Sequence, residues 1–224
     1  MWRNDRARDV NGPFQLAVFD LDGVLADSAR LHFVAWKAIA DELGIPFGER
    51  ANEALKGVDR MGSLRAILAI GGVNLPPDEM ERLATRKNVA YLDAVETMGP
   101  QDLLPGARRL LDAVRARGMP ATLASASRNA PRVLERLGIA DVFAHVADPA
   151  RLAPKPAPDL FLDGARFLGI DPQACVGFED AGAGVVAIKA ARMRAIGIGA
   201  ATDLPGADQV YPTTDAIDID RAFG

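Results

Sequence analysis

Residues 14–19, Phe-Gln-Leu-Ala-Val-Phe, form a short, mostly apolar run that stops abruptly at Asp20-Leu21-Asp22-Gly23. Such a run reads as a buried strand followed by a tight turn. The next segment, 28–99, abandons that pattern for helical periodicity. Phe33, Trp36, Lys37 and Ala40, then Leu64, Ile67 and Leu68, then Leu83, Val89 and Leu92 mark its faces. Breaks at 44–47 and 71–77 divide it into several helices.

After Leu104-Pro105-Gly106 strand and helix patterns alternate. Helices are expected over 107–117, 131–137, 159–168 and 185–192, and strands over 121–124, 142–146, 174–178, 195–198 and 209–211. Repeated units of this length imply an α/β chain whose parallel sheet carries helices on both faces. The all-helical stretch interrupts the first unit, as an inserted domain does. The expected division is a polar tail over 1–12, a core over 13–28 and 100–224, and a helical cap over 29–99. A length of 224 residues, roughly 1.5 times an ordinary domain, suits a core with an insert.

Composition narrows the function classes. With 49% hydrophobic and 25% charged residues the chain is globular, and a net charge of −4 offers no overall basic field to nucleic acid or an anionic membrane. Cys175 is the single cysteine, which excludes an intrachain disulfide framework and a Cys-rich zinc site and fits a reducing compartment. No apolar run approaches the roughly 18–20 residues of a membrane span, and the opening residues lack a signal-peptide pattern. The expectation is a cytoplasmic monomer acting on a small molecule, with no nucleic-acid or membrane partner.

In an open parallel sheet ligands bind beyond the carboxyl ends of the strands. Four segments fall there: Asp20-Leu21-Asp22, Ser125-Ala126-Ser127-Arg128-Asn129, Lys155, and Glu179-Asp180. Alone, Asp-x-Asp-Gly is an ordinary turn composition. Several carboxylates converging at one sheet edge repel one another unless a cation neutralises them, and oxygen donors without a Cys or His cluster favour a hard ion such as Mg²⁺. Asp20 beside such an ion suits a nucleophile toward phosphorus, and Asp22 a proton donor and acceptor. Lys155 and Ser125 suit the oxygens of the transferring phosphoryl group.

In order and spacing, Asp20-Leu21-Asp22-Gly23-Val24, Ser125, Lys155-Pro156 and Glu179-Asp180 resemble the four motifs of the haloacid-dehalogenase superfamily. The resemblance narrows to its sugar-phosphate mutases through Leu55-Lys56-Gly57-Val58-Asp59-Arg60, Arg86-Lys87-Asn88 and Lys155-Pro156-Ala157-Pro158-Asp159. It implies a Rossmann-like core with a helical cap, Mg²⁺, and isomerisation of β-D-glucose 1-phosphate to glucose 6-phosphate through an aspartyl phosphate and glucose 1,6-bisphosphate. The alternative is a phosphatase of the same superfamily acting on a hexose phosphate or another small phosphoester.

Carried over by position, the resemblance makes Asp20 the nucleophile and Asp22 the general acid and base. The metal would lie among Asp20, the Asp22 carbonyl, Glu179 and Asp180. Ser125, Ala126 and Lys155 would hold the reacting phosphate. Gly57, Val58 and Arg60 from the cap, with Ser127, Arg128 and Asn129 from the core, would hold the substrate's distal end. His32 would help place Asp22, and Lys87 would contact the sugar. Without that context His32 reads as a packed histidine, and Arg60 and Lys87 as solvated charges. The sequence departs from the pattern at Arg128, where Lys is common, at Ala181, where Ser is frequent, and at Ser28, where Thr is frequent. Trp36 reads as a cap-core residue and Cys175 as a small core hydrophobe.

Overall fold

A computed structural model describes residues 13–224, so the tail expected over 1–12 lies outside the described residues. The first apolar run is β1 (Leu16–Phe19), buried at all four positions. Its neighbours are β2 (Ala121–Leu123), β3 (Phe143–Val146), β4 (Cys175–Glu179), β5 (Arg194–Ile198) and β6 (Gln209–Tyr211). They form one six-stranded sheet in the order β3-β2-β1-β4-β5-β6, and every adjacent pair is parallel. The chain therefore builds outward from β1 on one side and from β4 on the other. The strand order reverses between them, and a ligand crevice opens at such a reversal.

Alternation along β1 explains the two layers of helix. Ala17 and Phe19 join an apolar cluster with Leu110, Leu111, Val133 and Phe223. These come from α5 (Ala107–Ala116), α6 (Ala130–Arg136) and α9 (Ile219–Phe223). Leu16 and Val18 point the other way, toward Leu160, Phe161, Val185 and Ile188 on α7 (Asp159–Leu168) and α8 (Gly182–Ala190). Each fully buried Leu or Phe here contributes roughly 1.5–3 kcal/mol relative to exposure. Cys175 is buried in this second layer as a packing residue.

Between β1 and α5 lie α1 (Ala29–Glu42), α2 (Glu49–Glu53), α3 (Arg60–Gly71) and α4 (Pro77–Val95). Trp36, Ile39, Ala40, Leu64, Ile67, Leu68 and Leu83 give these helices a cluster of their own. Tyr91 and Val95, at the carboxyl end of α4, instead pack into the core cluster with Phe19. No helix among the described residues is long and apolar enough to cross a membrane.

Three local expectations differ from the structure. The buried stripe of α4 runs through Leu83, Ala84, Lys87, Tyr91 and Val95, whereas Val89 is 53% exposed. A lysine therefore occupies a position that hydropathy assigns to an apolar residue. Second, α8 begins at Gly182, three residues before 185, so Gly182 and Gly184 form its first turn rather than a loop. A β-carbon at Gly184 would collide with the Glu179 side chain, which accounts for a poor helix former there. Third, the chain closes with α9, a short helix that the periodicity does not signal.

Candidate active site

The acids sit where the sheet topology places them. Asp20 follows β1, and Glu179 ends the adjacent β4, whose register pairs Phe19 with Phe178. Asp20, Glu179 and Asp180 each bring a carboxylate oxygen to within 4.8 Å of the others. Gly23, at φ +76°, closes the turn after β1 directly against Asp180, where a β-carbon would collide with its carboxylate. Such a φ is readily adopted by glycine alone. The turn glycine and the helix glycine thus leave the space the carboxylates occupy.

Lys155 lies beneath these acids with its side chain wholly enclosed. Its Nζ donates to Asp20 Oδ1 at 2.6 Å and to Glu179 Oε2 at 2.8 Å. Burial works against the Lys155 charge, but Asp20 and Glu179 outweigh it and raise its pKa. Burial, then the Asp20 charge, pushes Glu179 well above the usual carboxylate range and Asp180 up to about 6. Lys155 and, at Asp180, Lys56 still leave three carboxylates one positive charge short. The remaining deficit and the all-oxygen donor set fit a hard metal ion.

Asp22 does not bring its carboxylate into that trio. Ser28 Oγ donates to Asp22 Oδ1, and burial, followed by the charge on Asp20, pushes Asp22 up to about 7. Both protonation states are populated near neutrality, which suits a group that must take a proton and return it. Ser125 is 1% exposed and its Oγ accepts from the Ser127 N–H at 3.1 Å. The hydroxyl proton of Ser125 therefore stays available to an anion.

A cavity of about 270 Å³ opens above the acids and is lined from both layers. Its floor includes Asp20, Asp22 and Asp180, its core wall Ala126, Ser127, Arg128 and Asn129, and its cap wall His32, Gly57, Val58, Arg60 and Lys87. Ser125, Lys155 and Glu179 lie beneath this surface and are 1%, 5% and 1% exposed. Gly57, at φ +73°, reaches over Lys155, where a β-carbon would stand 3.5 Å from Lys155 Cδ.

The cap wall is rich in positive charge. Burial, then the nearby Arg128, lowers the Arg60 pKa. Burial, then Arg60, lowers Lys87 to about 7. Lys87 Nζ stands 2.7 Å from His32 Nδ1 and lies over the rings of Trp36 and Tyr91. Burial, followed by Lys87 and Arg60, holds His32 well below its ordinary pKa. A neutral His32 that accepts at Nδ1 carries its proton on Nε2, and Nε2 has no partner among the described residues.

Two contacts join cap and core around the cavity, and a third within the cap extends one of them. Lys56 Nζ lies 3.2 Å from Asp180 Oδ2. Asn88 Oδ1 accepts from Arg60 Nη2 at 2.6 Å and from Asn129 Nδ2 at 2.7 Å, so one cap amide links both sides of the basic wall. Sequence reasoning assigned no role to Lys56 or Asn88, although both stand inside the segments that carried the resemblance. Tyr91, buried one helical turn after Lys87, was also missed, and its i, i+4 spacing from Lys87 is the signal that could have found it.

A doubly wound sheet whose reversal point gathers three acids around a buried lysine, beneath a lid of cations, defines an α/β enzyme built to handle phosphate esters. Comparison with known proteins places it further. Residues 14–192 match the family described as haloacid dehalogenase-like hydrolase. The chain is 44% identical over 206 residues to the β-phosphoglucomutase of Bacillus subtilis (strain 168), covering 91% of each chain. It is 33% identical over 187 residues to a fructose-1-phosphate phosphatase of Escherichia coli (strain K12), covering 81% of this chain and 94% of that protein. Among solved structures, a β-phosphoglucomutase from Clostridium difficile superimposes with a TM-score of 0.90 at 38% identity, covering 93% of this chain and 95% of that one. The chain belongs to the haloacid dehalogenase-like hydrolase family.

Proposed function

We propose that this chain isomerises β-D-glucose 1-phosphate to glucose 6-phosphate, with Mg²⁺ held by Asp20, Glu179, Asp180 and the Asp22 carbonyl. The observation that carries the reading is the pair of cationic sites in one cavity. Lys155 and Ser125, just beneath the cavity floor, serve the phosphate at Asp20, and Arg60 from the cap wall with Arg128 and Asn129 from the core wall serve a second phosphate. Hydrolysis of a monophosphate needs only the first. A bisphosphate that must present either end to Asp20 needs both.

In the first half-reaction Asp20 carries the phosphoryl group. Asp22 takes the proton from the sugar's 6-hydroxyl, that oxygen attacks phosphorus, and the bond between phosphorus and Asp20 breaks to give glucose 1,6-bisphosphate. The bisphosphate then turns end for end. An Asp20 oxygen attacks the phosphorus on C1, the bond between that phosphorus and the C1 oxygen breaks, and Asp22 returns its proton to the oxygen. Glucose 6-phosphate leaves and Asp20 is again phosphorylated. A Mg²⁺ held by these residues would offset the negative charge that the carboxylates place beside the phosphoryl group. Lys155 and Ser125 donate to the phosphoryl oxygens throughout. His32 and Lys87, joined to each other, orient Asp22 and the sugar.

Closure of the cap keeps water from the aspartyl phosphate, and this separates isomerisation from hydrolysis. The test follows glucose 6-phosphate and free phosphate together, with Mg²⁺, β-glucose 1-phosphate and a trace of bisphosphate. Glucose 6-phosphate without matching phosphate release is expected. Phosphate released in step with substrate loss would overturn the mutase and leave a hexose phosphatase.

A further inference from the structure

The cap joins the core through two connections, tied to each other at their core ends. There Ala26 of the first pairs with Leu103 of the second, and the Leu104 N–H donates to the Leu25 carbonyl at 2.9 Å. The second leaves the carboxyl end of α4 at Glu96 and is gripped from outside by α6. Arg132 donates to Glu96 through Nε to Oε1 at 2.7 Å and through Nη2 to Oε2 at 2.6 Å, a two-pronged pair. Its remaining Nη1 donates to Glu135 Oε2 at 2.8 Å, which orients the guanidinium on its own helix. One turn further along α6, Arg136 Nε donates to the Met98 carbonyl at 3.2 Å.

The same two helices meet again inside the site. Asn88 on α4 accepts from Asn129, the residue immediately before α6. Asn88 and Glu96 are eight positions apart, about 12 Å along the chain at the helical rise. Between them Tyr91 and Val95 pack into the core cluster, an apolar contact that tolerates tilt, whereas directional contacts at both Asn88 and Glu96 fix the angle. We propose that Arg132 is a positioning residue, the outer pin that sets the closed angle of α4 over the phosphate loop 127–129. It thereby governs how far water reaches the phosphorylated Asp20.

The pair is half-exposed on both sides. Exposed pairs in general contribute little, but a two-pronged arginine–carboxylate contact with a supporting acid is the geometry in which they count. Arg132 also holds the Glu96 carboxyl below the usual range, through its hydrogen bonds first and its charge second. Because the contact faces solvent, salt weakens it, while the enclosed Lys155 contacts are screened much less.

The consequence for product partition rests on the mutase reading, so the test includes a readout independent of it. Spin labels at Val34→Cys on α1 and Arg115→Cys on α5, both exposed and clear of the cavity, report the distance between cap and core. Cys175 is fully buried. Arg132→Ala is expected to broaden that distance distribution and to raise phosphate released per glucose 6-phosphate roughly two- to fivefold, the range open to an exposed ion pair. Glu96→Gln is expected to do the same, the double variant no more than either single one, and Arg132→Lys to fall between. High salt moves the wild type toward Arg132→Ala and leaves that variant unchanged. An unaltered distance distribution, or additive effects of the two single changes, overturns the pin. A broadened distribution with an unaltered product ratio overturns its link to water. If the wild type releases phosphate for every substrate consumed, the mutase reading fails, and the distances still decide whether the pin exists.

Discussion

Core and cap bring opposite kinds of charge to the cavity, and they hold them differently. The core sets Asp20, Glu179 and Asp180 on strand ends and in a glycine-closed turn, with Lys155 enclosed between two of them. The cap brings Lys56, Arg60 and Lys87 on helices and a loop, and only Lys56 meets a site carboxylate. Arg60 is left facing Arg128, its like charge from the core. Acids placed by a sheet stay aligned without substrate, whereas the two arginines, with Glu81 as the acid that acts on Arg60, keep an excess of positive charge that an anion between them relieves. The core is therefore preorganised for chemistry, and the cap for recognition of a doubly charged ligand.

The sharpest way to break that division is to remove the chemistry and leave the recognition. Asp20→Asn keeps the shape and the cap wall but removes the nucleophile. Isomerisation and hydrolysis should both fall by at least about 10³-fold. Bisphosphate binding, followed by calorimetry, should survive. Activity near the wild-type rate would mean that another group attacks phosphorus.

The converse change is smaller and selective. Arg60→Ala removes one half of the cap wall and leaves the core acids untouched. Isomerisation should fall by on the order of 10²-fold, because binding energy from the distal phosphate aligns the reacting one. Hydrolysis of acetyl phosphate, which has no distal phosphate, should change by less than about threefold. Equal losses in the two assays would place Arg60 at the reacting phosphate and erase the contrast between the walls.

The acids also make a prediction about metal and pH. Asp180 and Asp22 titrate at about 6 and about 7 in the folded chain, against 3.8 for a free carboxyl of this type. The folded state therefore binds these protons more tightly. Their contribution to metal-free stability is complete below about pH 4 and is lost as pH rises through about 6 to 7. At Asp180, a proposed metal ligand, a cation takes over from the proton, so the rise in Tm on adding Mg²⁺ should grow as pH rises through about 6. At a hundredfold excess over Kd, binding is worth about 2.7 kcal/mol, or roughly 5–10 °C for a chain of this size. A Tm increment that is flat from pH 5 to pH 8 would show that the cation does not displace the proton from Asp180.

How legible each region was follows from how local its determinants are. β1 and its acids stood out because an apolar run against a charged turn is visible within ten residues. Lys155 and Glu179 followed from strand ends once the alternation was read. In the cap, Lys87 breaks the apolar stripe of α4, and its place inside depends on His32 and on the rings of Trp36 and Tyr91, which arrive from other turns and helices. Asn88 acquires its role only when α4 meets Asn129 across the cavity. The start of α8 was hidden for a related reason: propensity places glycine outside a helix, but the Glu179 side chain requires it there. Residues that answer to distant partners carry little periodic signal.

That account has a modest consequence for stability. If the stripe of α4 runs through Leu83, Lys87 and Tyr91, then Val89 contributes almost nothing to packing despite its apolar side chain. Val89→Lys should leave the unfolding free energy within about 0.5 kcal/mol of wild type, as surface changes do. Leu83→Ala, at a site 1% exposed in the cap cluster, should cost about 2–5 kcal/mol. Urea melts of the two variants side by side are the measurement. A large loss from Val89→Lys would restore the face read from hydropathy, and would move Lys87 out toward solvent and away from the cavity.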